Sequence, residues 1–203
     1  MLEPRNVTAC LITRGDTDLK PIIGTFIGYG EILIWDTLRD DMGVYGRYQL
    51  VSEARNPVVY VQDDDCIVPR DTQLELLQAY EAGLLVANWG HGSTPAGYDD
   101  VALVHAGAIL DRDLPARAFT RYLEHYPWDD DMEREADMIV GCLTPHRHVH
   151  LPYQILPVAW SPSRMCNQPW QREKKMRVTN RCRWIRDHAS GVPPITNSMS
   201  VAR

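Results

Sequence analysis

The sequence predicts an α/β fold, a layer of largely parallel strands covered by helices, and three observations predict it. Apolar runs bounded by turn residues recur along the chain. The runs are continuous rather than alternating, as in strands buried on both faces. Segments of helical length lie between them, the alternation that produces parallel strands joined by crossovers.

In chain order, strands are expected over residues 7–12, 32–35, 58–61, 84–87 and 101–104. A helix is expected over 71–82, capped by Asp71 or Thr72, stopped by Gly83, and carrying Leu74, Leu76, Leu77 and Ala82 as its apolar stripe. A second spans 115–126, with Pro115 in its first turn behind Asp113 and Pro127 beyond its end. A third spans about 130–143, with acids in its first turn and Met138, Ile139 and Cys142 facing inward. Residues 88–100 gather Gly90, Gly92, Ser93, Thr94, Pro95 and Gly97 into a loop, either a lid or an ordinary surface connection. The end from Ser190 is assigned no role.

At 203 residues, 44% hydrophobic and 24% charged, the chain has the size of one globular domain, alone or with an appendage. The first apolar run is too short for a signal peptide and no 18-residue apolar stretch follows, so a cytoplasmic protein without a membrane anchor is expected. Five widely spaced cysteines, Cys10, Cys66, Cys142, Cys166 and Cys182, form neither a C-x-x-C pair nor a secreted framework. The net charge of −6 divides at Trp160 into an acidic body and a tail of +7. Such a tail faces a phosphate-bearing ligand or nucleic acid, or else docks on the acidic body.

Ligands of open α/β sheets collect beyond the carboxyl ends of the strands. Thr13, Arg14, Gly15 and Asp16 follow the first run, Asp36 the second, and Asp63, Asp64 and Asp65 the third. On parallel neighbours these residues converge on one crevice. Adjacent carboxylates repel, and a divalent cation taking oxygen ligands relieves the repulsion. The competing reading is a solvated acidic turn. Against it, the chain returns at once to apolar Cys66, Ile67 and Val68, which pins the acids between buried segments.

The stretch VVYVQDDDCIVP resembles the acidic metal-binding Asp-x-Asp motif of GT-A glycosyltransferases. CLITRGD resembles their first strand and base-binding loop, and EILIWDT their second strand. The order ILIWD, GRYQLVSEA, VYVQDDD is similar to the exostosin-type branch and to small bacterial and phage transferases, over residues 7–158. The resemblance implies a single GT-A, Rossmann-like domain over residues 1–160, with a basic helical extension over 161–203. It implies transfer of a sugar from a nucleotide-sugar, a UDP-sugar foremost, to an acceptor hydroxyl with Mn2+ or Mg2+. DNA carrying a modified base is one acceptor of such phage enzymes, which would place the protein in a host cytoplasm.

By that resemblance Thr13, Arg14, Asp16 and Asp36 surround the nucleoside, and Asp63 approaches the ribose. Asp65 holds the metal with help from Asp63, and Asp64 meets the sugar or supports the turn. Arg47 lies near the diphosphate, its alternative being an exposed helix arginine. Gly107 lets backbone approach the donor sugar, its alternative being a plain turn glycine.

A second acidic group, WDDDMEREAD, supplies candidates for the base that takes the acceptor proton. Asp137 is the first choice, Asp131 stands behind it, and Glu135 completes the set. Glu135 and Asp137 cannot face the same way along one helix. The alternative role of these acids is to complement the helix dipole. An EF-hand is excluded, because Arg134 occupies the sixth position counted from Asp129, where glycine is required.

His146, His148 and His150 would share one face of a strand, as in a zinc site, or sit at a polar strand edge. The resemblance implies that one of them, His150, joins Asp65 at the metal. In the tail, Lys174, Lys175, Arg177 and Arg181 suit a leaving diphosphate, or, with Trp170 and Trp184, a nucleic-acid acceptor. Two other functions compete. A nucleotidyltransferase needs a longer glycine-rich basic loop than TRGDTDLKP, which has one glycine; a nucleic-acid-binding protein would use the acids structurally and the tail as its surface.

Overall fold

The computed structural model describes residues 2–89, 98–162 and 167–189. The expected 90–97 loop tip, Cys166 and the end from Ser190 lie outside the described residues. The chain folds as a mixed α/β domain around a six-stranded, mostly parallel sheet. The strands are β1 (Val7–Thr13), β2 (Glu31–Asp36), β3 (Val58–Asp63), β5 (Leu85–Asn88), β6 (Ala108–Asp111) and β7 (His146–Val149), in the spatial order β2-β1-β3-β6-β5-β7. Pairs β1/β2, β1/β3 and β5/β7 are parallel, and β6 runs antiparallel to both neighbours. A two-stranded ribbon, β4 (Cys66–Ile67) with β8 (Gln154–Ile155), follows the acidic turn.

Seven helices cover the sheet among the described residues: α1 (Lys20–Ile23), α2 (Tyr45–Glu53), α3 (Arg70–Ala79), α4 (Leu114–Leu123), α5 (Asp130–Arg134), α6 (Ala136–Leu143) and α7 (Gln171–His188). Continuous apolarity in β1 and β3 reflects two buried faces, whereas the same pattern in β2, at the sheet edge, leaves Ile32 and Ile34 exposed. Val7, Ala9 and Leu11 of β1 join Val58 and Tyr60 of β3 in a core with Leu76 and Leu77 of α3. The alternate residues, Cys10, Val59 and Val61, enter a larger core with Tyr48, Phe119, Met138 and Ile139. No described helix is long and apolar enough to cross a membrane.

Three expected elements come out differently. Residues 101–104 are buried as a strand would be, except for half-buried Leu103, yet they pair with no strand. The Ala102 amide instead donates to the Gly141 carbonyl in α6, at 3.1 Å. Gly141 permits that approach, since a Cβ there would lie 1.9 Å from the Ala102 oxygen. The sheet strand at this point is β6, beginning after Gly107. The helix expected over 71–82 ends at Ala79, because Tyr80 takes an extended ψ of 137°.

The third difference bears on the site. The helix expected over 130–143 is two helices broken at Glu135, whose φ of −118° and ψ of 28° leave the helical region. Asp129 caps the first, its side chain accepting from the Met132 amide at 2.8 Å.

Candidate functional site

From β1 the sheet proceeds to β2 on one side and to β3 on the other, so the crevice where ligands bind opens between the carboxyl ends of β1 and β3. A cavity of about 630 Å³ lies there. Thr13, Arg14, Asp63, Asp64 and Asp65 supply one part of its wall, Arg47, Glu135 and Asp137 another, and Trp170, Gln171 and Lys175 of the C-terminal segment close it. The acidic turn therefore opens onto a crevice shared with Arg14.

The three aspartates have separate duties. Asp64 is buried and accepts from the Thr13 hydroxyl at 2.7 Å and the Arg14 amide at 3.2 Å, tying the end of β1 to the turn after β3. Asp63 has the parity of Val59 and Val61 and so projects toward α2 and α6. There it pairs with Arg47. Asp65 lines the cavity, and its carbonyl accepts from the Leu156 amide at 2.7 Å, fixing the turn against the ribbon.

Arg47 is no surface arginine: it is 2% exposed and bridges Asp63 to both oxygens of Asp137, at 2.7 and 2.6 Å. The Tyr48 hydroxyl donates to Asp137 at 2.6 Å. Burial works against the Arg47 charge, but Asp137 outweighs it and holds the guanidinium above its ordinary range. Burial, and then the Asp137 charge, push the Tyr48 hydroxyl far up, so it stays a donor. Three hydrogen bonds to its carboxylate fix Asp137 in place.

Glu135 is its counterpart. The helix break turns it into the same cavity as Asp137, a pairing that one continuous helix forbids. It is 3% exposed, Oε1 has no hydrogen-bond partner among the described residues, and Oε2 accepts from Gln171 Nε2 at 3.4 Å. Burial and, less strongly, the charges of Asp137 and Asp131 push its carboxyl up to about 8, against the opposing effect of Lys175. Asp131 lies outside the cavity wall and binds Arg177 at 2.6 and 2.8 Å, with Arg181 at 3.7 Å; those bonds, led by Arg177, keep it below the usual carboxylate range.

The basic helix docks on the acidic body. Lys174 pairs with Asp130, Arg177 with Asp131, Arg181 with Asp129 at 2.9 Å, and Arg183 and Arg186 with Asp100 at 2.5 and 2.8 Å. Of the four tail cations expected at the ligand, Lys175 lines the cavity, its Nζ 5.2 Å from the centre of the Tyr98 ring, while Lys174, Arg177 and Arg181 do not.

Several expected residues stand elsewhere. Asp16 is exposed and outside the wall, and Asp36 accepts from the Leu38 amide at 3.0 Å, leaving Thr37 and Leu38 at the cavity. Gly107 is also outside the wall. Its φ of +92° and a Cβ position 2.8 Å from the Tyr60 hydroxyl explain the glycine as a turn residue. His150 is exposed beyond β7, His146 is bonded to the Thr144 carbonyl, and His148 to the Val101 carbonyl. None of the three lines the cavity.

The histidine that does line it, His105, was marked in the sequence only by its place before Gly107. Its carbonyl accepts from the Asp63 amide at 3.1 Å. Burial, and then Lys175, lower its imidazole to about 4, so it is neutral at pH 7.

Among the described residues no three His, Cys, Asp or Glu side chains form a ready-made metal cage. The donor set at the turn fits a hard cation of another kind, one held by one or two carboxylates, here Asp65 and Asp63, with phosphate oxygens and water completing the shell.

No protein-family model matches the chain, and no curated protein matches it. Among solved structures it is similar to 2-C-methyl-D-erythritol 4-phosphate cytidylyltransferase from Thermus thermophilus, at 14% identity and a TM-score of 0.46, over 86% of this chain and 98% of that one. A likeness of that size bears on neither activity nor ligand.

Proposed function

We propose that the protein is a metal-dependent transferase that moves a sugar from a nucleotide-diphosphate sugar, a UDP-sugar foremost, to an acceptor hydroxyl. One observation carries the reading. The acidic turn opens into the crevice between β1 and β3, facing both a lysine and a buried carboxyl raised to about 8.

The cavity divides by chemistry. The end formed by Thr13, Arg14, Thr37 and Leu38 accommodates the nucleoside. Asp65 and Asp63 would hold Mn2+ or Mg2+, which when bound neutralises diphosphate charge. Lys175 takes up charge on the departing phosphate oxygen as the anomeric C–O bond breaks and its electron pair leaves with the diphosphate. The acceptor oxygen bonds to the anomeric carbon and its proton passes to Glu135, whose carboxyl is raised to about 8, while Asp137 is engaged by Arg47 and Tyr48. Arg47 positions Asp63 and Asp137 rather than touching the reacting atoms.

A thermal-shift screen of nucleoside diphosphates and triphosphates, with and without Mn2+, tests this. Selective stabilisation by UDP plus Mn2+, lost in Asp65→Ala, is the expected result. Equal stabilisation of that variant, or none by any nucleotide in the native chain, rules the reading out.

A further inference from the structure

We infer that the wall built by Trp170, Gln171 and Glu135 is the acceptor subsite and that it takes an uncharged, hydroxyl-rich saccharide; the inference rests on the transferase reading above. Three independent features converge on it.

The first is an orphaned atom. Glu135 lines the cavity, its Oε1 is buried and has no partner among the described residues, and a buried polar oxygen left this way costs free energy that a bound hydroxyl would recover. Neutral, the carboxyl can donate to a sugar hydroxyl, and in its ionised form it accepts from that hydroxyl and takes its proton.

The second is the surface beside it. The Trp170 indole stays 40% exposed although Lys174 Nζ covers one face at 4.8 Å from the ring centre. Lys174 is itself tied to Asp130, so the ring is braced from one side. An indole offers a flat apolar face suited to the C–H face of a sugar ring. Gln171, next in sequence, lines the same cavity and donates from Nε2 to Glu135 Oε2 at 3.4 Å, and an aromatic platform with a few convergent polar groups is the form of a small-ligand site.

The third is the charge already spent. A nucleic-acid acceptor is held by cations that neutralise successive phosphates. On α7, Lys174, Arg177, Arg181, Arg183 and Arg186 are each paired with a carboxylate of the body. Lys175 faces the cavity, where the donor diphosphate claims it. Apart from exposed Arg172, the described part of the helix thus offers no run of cations for successive phosphates, while the wall at its start offers hydrogen bonds and an aromatic face.

Saturation-transfer NMR on the full chain with UDP and Mn2+ tests the proposal. The probes are disaccharides containing glucose, galactose, mannose or N-acetylglucosamine, with a short duplex DNA in a parallel titration. We expect saturation transfer to at least one disaccharide and a loss of roughly tenfold or more in affinity in both Trp170→Ala and Gln171→Ala. Stabilisation by UDP and Mn2+ should persist in both variants. No disaccharide binding, binding that both substitutions leave intact, or salt-sensitive DNA binding without a saccharide signal would each overturn the acceptor assignment. Saccharide binding that depends on Trp170, in a chain that UDP and Mn2+ fail to stabilise, would instead sink the donor reading alone.

Discussion

Glu135 owes its chemistry to a backbone break and to the cost of burying charge. Its ordinary value is 4.5 and its folded value about 8, so between these limits the folded chain holds a proton that the unfolded chain has released. Stability therefore falls as pH rises from about 4.5 to about 8, and is unaffected by this group below that window. Glu135→Gln removes the penalty: at pH 7.5 the variant should melt roughly 3–8 °C above the native chain, with the difference vanishing below about pH 4. On the proposed transferase reading, the transfer rate measured with UDP-sugar donors should rise as pH climbs toward about 8, and the same substitution should abolish that rise. Arg47 is the opposite case, a buried charge that two carboxylates require. Arg47→Met should cost about 2–4 kcal/mol in urea unfolding, less than a fully buried pair because Asp63 and Asp137 keep 24% and 22% of their side chains exposed.

At the scale of elements, α7 determines what the cavity can be. Its Val178, Cys182 and Ile185 are fully buried in the larger core, and its bases clamp α5 and the loop at Asp100. Burial opposes the Asp100 charge, but hydrogen bonds from Arg183 and Arg186 prevail and hold it at about 2. The stability this provides is present above the ordinary value of 3.8 and disappears as pH falls through about 2. Asp100→Asn should accelerate amide hydrogen exchange along α7 at pH 7, and the difference from the native chain should shrink as acid protonates Asp100. The sequence announced an acidic body and a basic tail but left three partners open for that tail; docking on the body is the one the ion pairs show. Strands β1, β2, β3 and β5 were legible from their apolar runs while β6 and β7 were not read from any, and residues 101–104 carried the same signal and bond to a helix instead. Periodicity reports burial, and burial alone does not say which backbone supplies the hydrogen bonds.

For the whole molecule, the tail and body share one core. A chain ending at residue 170 loses Val178 and Ile185, about 3–6 kcal/mol of burial, together with the clamps on α5. That is comparable with the stability of a domain this size. Such a truncation should show no cooperative thermal transition, whereas the full chain unfolds in one.

The sequence by itself determined the α/β layer, the strand ends at which ligands gather, and the acidic turn pinned between apolar segments, because each follows from local runs, spacing and the repulsion of adjacent carboxylates. Tertiary structure decided the division of labour: Asp64 to hold β1, Asp63 and Asp137 to flank Arg47, Glu135 to be buried at the cavity with its carboxyl raised, and Lys175 alone of the expected tail cations to reach the cavity. Those outcomes depend on which charges meet across distant segments and on one residue leaving the helical region. Pairing energies and desolvation act through space, so no spacing along the chain encodes them.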